Sequence, residues 1–343
     1  MDHIDMPGAA APSAAALHAR LLTIDTHIDV PWPEGPSFFA EGKRRVDLPK
    51  MRRGGLAAGC FAAYVPQGPR TDEGHAAAYQ RAVSMLHAIQ GMGHAGAIVC
   101  IGADEIERAH ADGVTAIIPC VENGHACGGD PGRLKHFRAL GACYLTLTHN
   151  GHNALGDSSN PRTDLGDGAE EHGGLSPLGA AAIAELNRLG MLVDIAHVSK
   201  AAMLQAAALS RTPVLSTHSC IRALCDNPRN LDDEQLDALR DCGGVVHVTA
   251  VSHFLRANKK AEEVTVADYV DHIDYAVRRI GIHHVGISSD FDGGGGFRGW
   301  RDAGESASLT AELQSRGYDE AAIAKLWGGN FLRLLRIAER HAE

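Results

Sequence analysis

The chain has 343 residues, of which 45% are hydrophobic and 22% charged, as is ordinary for a globular protein. Its net charge of −10 disfavours binding to nucleic acids and to anionic membrane surfaces. No run approaches the roughly 20 apolar residues that span a bilayer, so we expect neither a nucleic-acid nor a membrane partner.

The N-terminal segment precedes the first apolar run. Residues 1–20 are rich in alanine and lack the cationic start of a secretory signal. The eight cysteines are spread along the chain without a Cys-x-x-Cys pair, which favours buried free thiols over a disulfide framework. We therefore expect a cytoplasmic protein, with residues 1–20 as an extension and residues 21–343 as a single domain.

Short runs rich in Val, Ile, Leu and Ala recur along the chain, and most precede a segment with helical periodicity. Runs this uniformly apolar are typical of parallel strands buried on both faces. The predicted strands are Leu21–Asp29, Leu56–Val65, Thr115–Glu122, Ala142–His149, Met191–Val198, Pro213–Ser219, Gly243–Ala250 and His284–Asp290. The predicted helices are Thr71–Ala95, Pro131–Leu140, Ser176–Leu189, Lys200–Ala208, Asp232–Arg240, Thr265–Ile280 and Asn330–His341.

Eight strand-to-helix units predict an α/β fold, a closed (β/α)8 TIM-type barrel. An open doubly wound sheet is the alternative, but no Gly-x-Gly-x-x-Gly motif follows an early strand. The longest predicted loop, Gly151–Gly174, is expected to lie over the active site.

The first predicted strand carries a His-x-Asp pair near its end. Side chains two positions apart on a strand face the same way, so His27 and Asp29 project together. An imidazole and a carboxylate suit a borderline-soft metal such as zinc. Taken alone, the pair could equally be a buried histidine hydrogen-bonded to a neighbouring acid.

Five later strand runs also end in a side chain able to bind a metal or a proton: Glu122, His149, His197, His218 and Asp290. Barrel enzymes assemble their chemistry from the carboxyl ends of several strands. Each residue alone has a structural explanation, such as a helix-capping acid. Their recurrence at one position of the repeat favours a shared site.

Several motifs resemble one family. The segments Ile24–Pro31, Tyr144–Asn150, Gly174–Lys200, Pro213–Asp232 and Val285–Gly293 closely resemble the membrane (renal) dipeptidase family, over about residues 21 to 335. The resemblance implies an amidohydrolase-like barrel that hydrolyses dipeptides, including those with a D-residue at the C-terminal position. It also implies two zinc ions per chain and, since members are often dimers, a homodimer.

The matched motifs also imply the metal ligands. His27 and Asp29 would bind one zinc, His197 and His218 the other, and Glu122 would bridge both. A water held between two such ions ionises near neutral pH.

The resemblance further implies the groups that act on substrate. Asp290 would be the general acid and base, and its neighbour Asp292 shares its strand parity but not the motif match. His149 would stabilise the oxygen of the tetrahedral intermediate. Arg229 would bind the C-terminal carboxylate of the substrate, although it could instead cap the preceding helix or pair with Asp226.

The remaining histidines, including His253, are assigned to the surface or the core. His125 and His152 are expected near the mouth of the barrel, and His247 is expected to fill the barrel. The loops Ala250–Phe254 and Asn153–Glu171 depart from the family pattern and are expected to shape the side-chain pocket, which leaves the preferred substrate open.

Two other functions fit the same residues. An N-acyl amino acid deacylase would use the same metal barrel without a need for Arg229. A non-enzymatic zinc-carrying barrel would require a damaged catalytic set, whereas every matched position carries a chemically competent side chain.

Overall fold

The structure is a computed structural model that describes residues 12–30 and 35–343. The first eleven residues of the expected extension and the last residue of the motif Ile24–Pro31 lie outside the described residues.

The strands are β1 Ile24–Asp29, β2 Ala58–Tyr64, β3 Ala97–Val99, β4 Thr115–Glu122, β5 Tyr144–Thr146, β6 Leu192–Asp194, β7 Leu215–Ser219, β8 Val245–Val248 and β9 Val285–Ile287. The α-helices are α1 Ala14–His18, α2 Leu48–Gly54, α3 Asp72–Gln90, α4 Ala103–Ala111, α5 Arg133–Ala139, α6 Pro177–Arg188, α7 Lys200–Leu209, α8 Asp233–Asp241, α9 Ser252–Leu255, α10 Val266–Ile280, α11 Ala307–Ser315, α12 Glu320–Ala324 and α13 Asn330–Arg340.

The sheet is a parallel barrel with the strand order β1-β2-β4-β5-β6-β7-β8-β9. Its ends meet just beyond β9, where the Asp29 amide donates to the Phe291 carbonyl at 2.9 Å and the Asp290 amide donates to the His27 carbonyl at 3.0 Å. The predicted (β/α)8 barrel is therefore confirmed. The strand that the sequence did not predict, β3, pairs only with the start of β4 and lies off the barrel path.

Local sequence signals explain where several helices begin. Ser176 caps α6 by accepting a hydrogen bond from the Gly179 amide at 3.0 Å, and proline occupies the first turn. Asp232 forms a reciprocal capping box with Gln235 at the start of α8. These caps place the helices directly after the loops that leave the barrel mouth.

The barrel interior is apolar towards the end covered by α13. Residues from successive strands, such as Ile24, Ile118 and Leu215, form one buried cluster with Phe331 of α13. His247 fills the barrel as predicted. Its ring lies over Gly286, where a Cβ atom would come within 2.2 Å of His247 Cδ2. With α13 over the opposite end, the carboxyl ends of the strands are left for chemistry.

All eight cysteines are free thiols, as the sequence predicts, and all but Cys242 are buried. In the described ranges, no helix combines the length and apolarity needed to cross a membrane.

Candidate active site

Glu122, the last residue of β4, lies at the centre of the barrel mouth and is only 2% exposed. Its Oε2 atom lies 3.5 Å from His27 Nε2. Its Oε1 atom lies 3.3 Å from His197 Nε2, 3.5 Å from His218 Nε2 and 3.9 Å from His149 Nε2. One carboxylate therefore faces imidazoles on both of its oxygens, as the predicted bridging position requires.

A second group of acids flanks His27. Ligand atoms of His27, Asp29 and Asp290 lie within 4.8 Å of one another, and His27 Nε2 is 3.8 Å from Asp29 Oδ1. Burial and the nearby Glu122 carboxylate raise the pKa of Asp29 well above its usual range. Burial likewise raises the pKa of Asp290 to about 7. Such crowding of buried carboxyl groups is unfavourable unless cations neutralise it.

The orientation of His27 is fixed from behind by Tyr144. The Tyr144 hydroxyl donates to the Thr26 carbonyl at 3.0 Å and lies 3.0 Å from His27 Nδ1, so it accepts the Nδ1 proton. The Nε2 atom then faces Glu122. Although burial opposes protonation, the charge of Glu122 raises the pKa of His27 to about 10. In the metal-free protein a proton therefore occupies the position on His27 that a metal ion would take.

His197 is held in a comparable way by the loop that follows β5. Its Nδ1 atom lies 3.4 Å from Asn150 Oδ1, and that oxygen also accepts a hydrogen bond from Asn160 Nδ2 at 3.2 Å. Burial lowers the pKa of His197 and of His218 well below the usual range. Both rings are thus neutral, which is the form that binds metals.

Backbone strain is concentrated at the mouth of the barrel. In the described chain, four of the five non-glycine residues with positive φ lie just past strand ends: Asn123 at 86°, His197 at 67°, Asp290 at 59° and Asp292 at 65°. Each such conformation costs about 1–3 kcal/mol and persists only where the surrounding structure enforces it, which is typical of functional sites.

The turn after β9 separates the roles of its two acids. Asp292 accepts hydrogen bonds from the Arg45 amide at 2.8 Å and the Val46 amide at 3.3 Å, so it anchors the loop after β1. Asp290 instead lines the cavity. Gly293 has no room for a side chain, because a Cβ atom would lie 2.1 Å from Asp29 Oδ2 and 2.4 Å from Asp290 Oδ1.

Arg229 is 3% exposed and lines the cavity at the mouth of the barrel. Its Nη2 atom donates to the His218 carbonyl at 3.3 Å, its guanidinium lies 5.4 Å from the centre of the Phe254 ring, and its Nε atom has no hydrogen-bond partner. The alternative pairing with Asp226 is not found, because that exposed acid contacts Arg222 at 3.6 Å. Burial lowers the pKa of Arg229 to about 10, so it stays charged at neutral pH.

All the predicted site residues except the fully buried His27 line a cavity of about 310 Å³. The segment after β8, which includes α9, contributes Val251, His253 and Phe254, and the loop predicted to cover the site, Gly151–Gly174 (the cover loop), contributes Asn160. His253 was expected on the surface or in the core; it lies in α9, is exposed, and lines the rim of the cavity. The lining residues are Asp29, Glu122, His149, Asn150, Asn160, His197, His218, Asn227, Pro228, Arg229, Val251, His253, Phe254, Asp290, Gly293 and Gly294.

The cover loop is held by two buried carboxylates. Asp157 accepts hydrogen bonds from the backbone amides of 171, 172 and 174, and Asp167 accepts from the amides of 152 and 162. His152 joins this network through the Ser158 amide at 3.0 Å. His125 is farther from the centre and lies 3.5 Å from Gln67. His152 therefore shapes the loop that presents Asn160.

One known family matches almost the whole chain. The family model described as membrane dipeptidase (peptidase family M19) matches residues 12–343. A dipeptidase of Aspergillus oryzae, aclJ, is 31% identical over 306 residues, which cover 87% of this chain and 71% of the relative. Dipeptidase 3 of Mus musculus is 32% identical over 89% of this chain, and the match spans only 60% of the relative.

Solved structures agree over almost their whole length. A probable dipeptidase of Pseudomonas aeruginosa, PvdM, superimposes with a TM-score of 0.90 at 31% identity, covering 96% of this chain and 98% of that one. A metallopeptidase of Rhodobacter sphaeroides, solved with a phosphinate mimic of the dipeptide L-Ala-D-Ala, gives a TM-score of 0.83 at 28% identity, covering 93% of this chain and 99% of that one.

Proposed function

This chain belongs to the membrane dipeptidase family and is a metal-dependent hydrolase of dipeptides; we propose that two zinc ions, bridged by Glu122, serve the reaction. The observation that carries the proposal is the convergence of four imidazoles on this one buried carboxylate, with two further carboxyl groups clustered around one of those imidazoles, His27.

The residues fit such a metal pair. His27 Nε2 and Asp29 Oδ1 are buried and have no hydrogen-bond partner, so both are available as ligands. Imidazole nitrogen and carboxylate oxygen are the donor types that zinc accepts in catalytic sites. We assign His27 and Asp29 to one ion and His197 and His218 to the other. When bound, the two ions would supply Lewis acidity and an ionised water near neutral pH.

Asp290 is the proposed proton carrier. As a carboxylate it accepts a proton from the attacking water, and as an acid it donates that proton to the leaving amine. Burial raises its pKa to about 7 in the metal-free protein, and bound cations would lower that pKa, so both forms are accessible below neutral pH. The Asp290 amide donates to the His27 carbonyl, which holds the carboxyl beside the ligands.

His149 and Arg229 are the groups proposed to position the substrate. Burial lowers the pKa of His149 to about 4, so its ring is neutral and its N–H can donate to the oxygen of the tetrahedral intermediate. Arg229 offers its unpaired Nε–H to the C-terminal carboxylate. A free carboxylate held so close to the reacting amide selects substrates of two residues.

We propose that the accepted substrates include dipeptides with a D-residue at the C-terminal position. The Rhodobacter relative binds a mimic of such a dipeptide. The cavity of about 310 Å³ is of a size suited to a small ligand.

The test is hydrolysis of matched L-Xaa-L-Xaa and L-Xaa-D-Xaa dipeptides before and after chelation and after zinc is restored. We expect activity to disappear with the metal and return with zinc, and elemental analysis to give two zinc ions per chain. Activity that chelation leaves unchanged would contradict the proposal. The cytoplasmic location and the homodimer stay predictions, which fractionation and sedimentation would test.

A further inference from the structure

Asp194, the last residue of β6, is a fully buried carboxylate that the functional assignments above do not use. It accepts four hydrogen bonds. Its Oδ1 atom accepts from the Ala196 amide at 3.0 Å and the Thr217 amide at 2.9 Å. Its Oδ2 atom accepts from the hydroxyls of Thr146 at 2.5 Å and Thr217 at 2.7 Å. Burying a carboxylate costs free energy, which these four hydrogen bonds offset, and the residues that Asp194 contacts indicate its role.

The Thr217 hydroxyl connects this carboxylate to His218. Thr217 Oγ1 lies 2.8 Å from His218 Nδ1. Since the hydroxyl has one proton and donates it to Asp194, it can only accept from His218, which places a proton on Nδ1. The Nε2 lone pair is then directed at the centre, 3.5 Å from Glu122 Oε1.

We propose that Asp194 and Thr217 are positioning residues that fix the tautomer and the orientation of His218 for metal binding. The inference rests on the proposed function, which makes His218 a zinc ligand. Metal-bound histidines commonly donate their second N–H to a carboxylate, and this increases the basicity of the ligand nitrogen. Here the threonine hydroxyl lies between the two groups and transmits the same polarisation.

The chain offers a matched control in Thr146. Thr146 and Thr217 are both fully buried, and both donate a hydroxyl hydrogen bond to Asp194 Oδ2. Only Thr217 also contacts His218. Replacing either residue by valine removes the same bond to the same oxygen, so the difference between the two variants isolates the contact with His218.

The experiment measures zinc affinity by competition with a chelator in the wild type, Thr217→Val, Thr217→Ser and Thr146→Val, with thermal unfolding recorded for each. Thr217→Val should weaken binding of one of the two ions by about 10–100-fold, while Thr217→Ser and Thr146→Val stay within about threefold of the wild type. The visible spectrum of the cobalt-substituted protein should change in Thr217→Val alone.

A second variant keeps the test decisive if Thr217→Val does not fold. In Asp194→Asn the amide nitrogen donates to Thr217, so the hydroxyl turns its proton to His218 Nδ1 and favours the wrong tautomer. We expect weakened zinc binding there too.

Wild-type zinc affinity in both Thr217→Val and Asp194→Asn would overturn the positioning role of Asp194 and Thr217 and leave the proposed function intact. A wild-type protein that binds no zinc would overturn the proposed function itself, and with it the positioning role of Asp194 and Thr217.

Discussion

The Nε2 atoms of His197 and His218 lie 2.8 Å apart, and both are directed at Glu122 Oε1. Both rings are neutral because burial lowers their pKa, and each Nδ1 proton has its own acceptor. In the metal-free protein a hydrogen bond between the rings needs a proton on one Nε2 atom, whereas metal binding needs both lone pairs. Two facing lone pairs are unfavourable without a cation bound to them.

Metal removal should therefore reduce stability as well as activity. A ligand that binds only the folded state stabilises it by about 4 kcal/mol when its free concentration is about a thousand times Kd. We expect the melting temperature to rise on zinc addition and fall on chelation, as measured by calorimetry. His218→Ala should show a much smaller response. An unchanged melting temperature in the wild type would contradict the predicted centre.

Arg229→Met should lower kcat/KM for dipeptides on the order of 10²-fold, because the substrate carboxylate loses its buried partner. The same variant should hardly change the hydrolysis of a dipeptide whose C-terminus is an amide, which the wild type should cleave poorly. Steady-state kinetics on both substrates checks this. A small effect on free dipeptides would instead favour the N-acyl amino acid deacylase.

Asp290→Asn should lower kcat by about 10²–10⁴-fold with little change in KM, since it removes the proton carrier. Asp292→Asn is the control, because an amide oxygen can still accept from Arg45. The rate of the wild type should fall as pH is lowered through the pKa of Asp290. Burial raises that pKa to about 7 in the metal-free protein, and bound cations lower it, so the acid limb should lie below pH 7.

Asp25→Asn should change how the stability of the metal-free protein depends on pH. Burial raises the pKa of Asp25 from 3.8 to about 6, and its Oδ2 atom has no hydrogen-bond partner. Between these values the unfolded chain releases a proton that the folded protein keeps, so this group removes stability as pH rises. The asparagine side chain does not ionise, so the variant does not lose stability in this way. Its unfolding free energy relative to the wild type should increase from pH 4 to 6, by roughly 3 kcal/mol, and then level off.

Denaturant titrations at several pH values measure this difference. A difference between the two proteins that stays constant across the range would show that Asp25 ionises normally in the folded state.

Gly293→Ala should displace Asp29 and Asp290, whose oxygens would lie within 2.4 Å of the new methyl group. We expect reduced zinc content and loss of activity with only modest loss of secondary structure. Gly129→Ala is the matched control, because no heavy atom lies within 4 Å of its Cβ position. Full zinc occupancy in Gly293→Ala would show that the turn after β9 can move without cost.

The barrel was predictable because each buried parallel strand is uniformly apolar. The strand β3 was not predicted, since it has three residues and Ile98 at its middle is 48% exposed, so it carries no burial pattern. Short helices such as α2, α4 and α12 were missed for a similar reason. Helices of five to nine residues have too few turns to show a clear hydrophobic periodicity.

The acids and imidazoles of the site were predictable because they lie at or just beyond the ends of six barrel strands. The positions of Asn150, Asn160 and His253 at the cavity were not, since the paths of the segments that carry them depend on contacts that are distant in sequence. Asp194 did leave a signal, a lone charge in the apolar run Met191–Ala196. Tyr144 gave none, because an aromatic residue in a strand is ordinarily core.

The closure of the barrel has a consequence for biosynthesis. His27 and Asp29 lie on β1, whereas Asp290 follows β9, and 262 positions separate His27 from Ser289. Nearly the whole polypeptide must leave the ribosome before the proposed ligands His27 and Asp29 can meet the proposed proton carrier Asp290. A growing chain therefore cannot complete the active site, and hydrolysis must wait for the last folding event, in which the segment after β9 closes the barrel against β1.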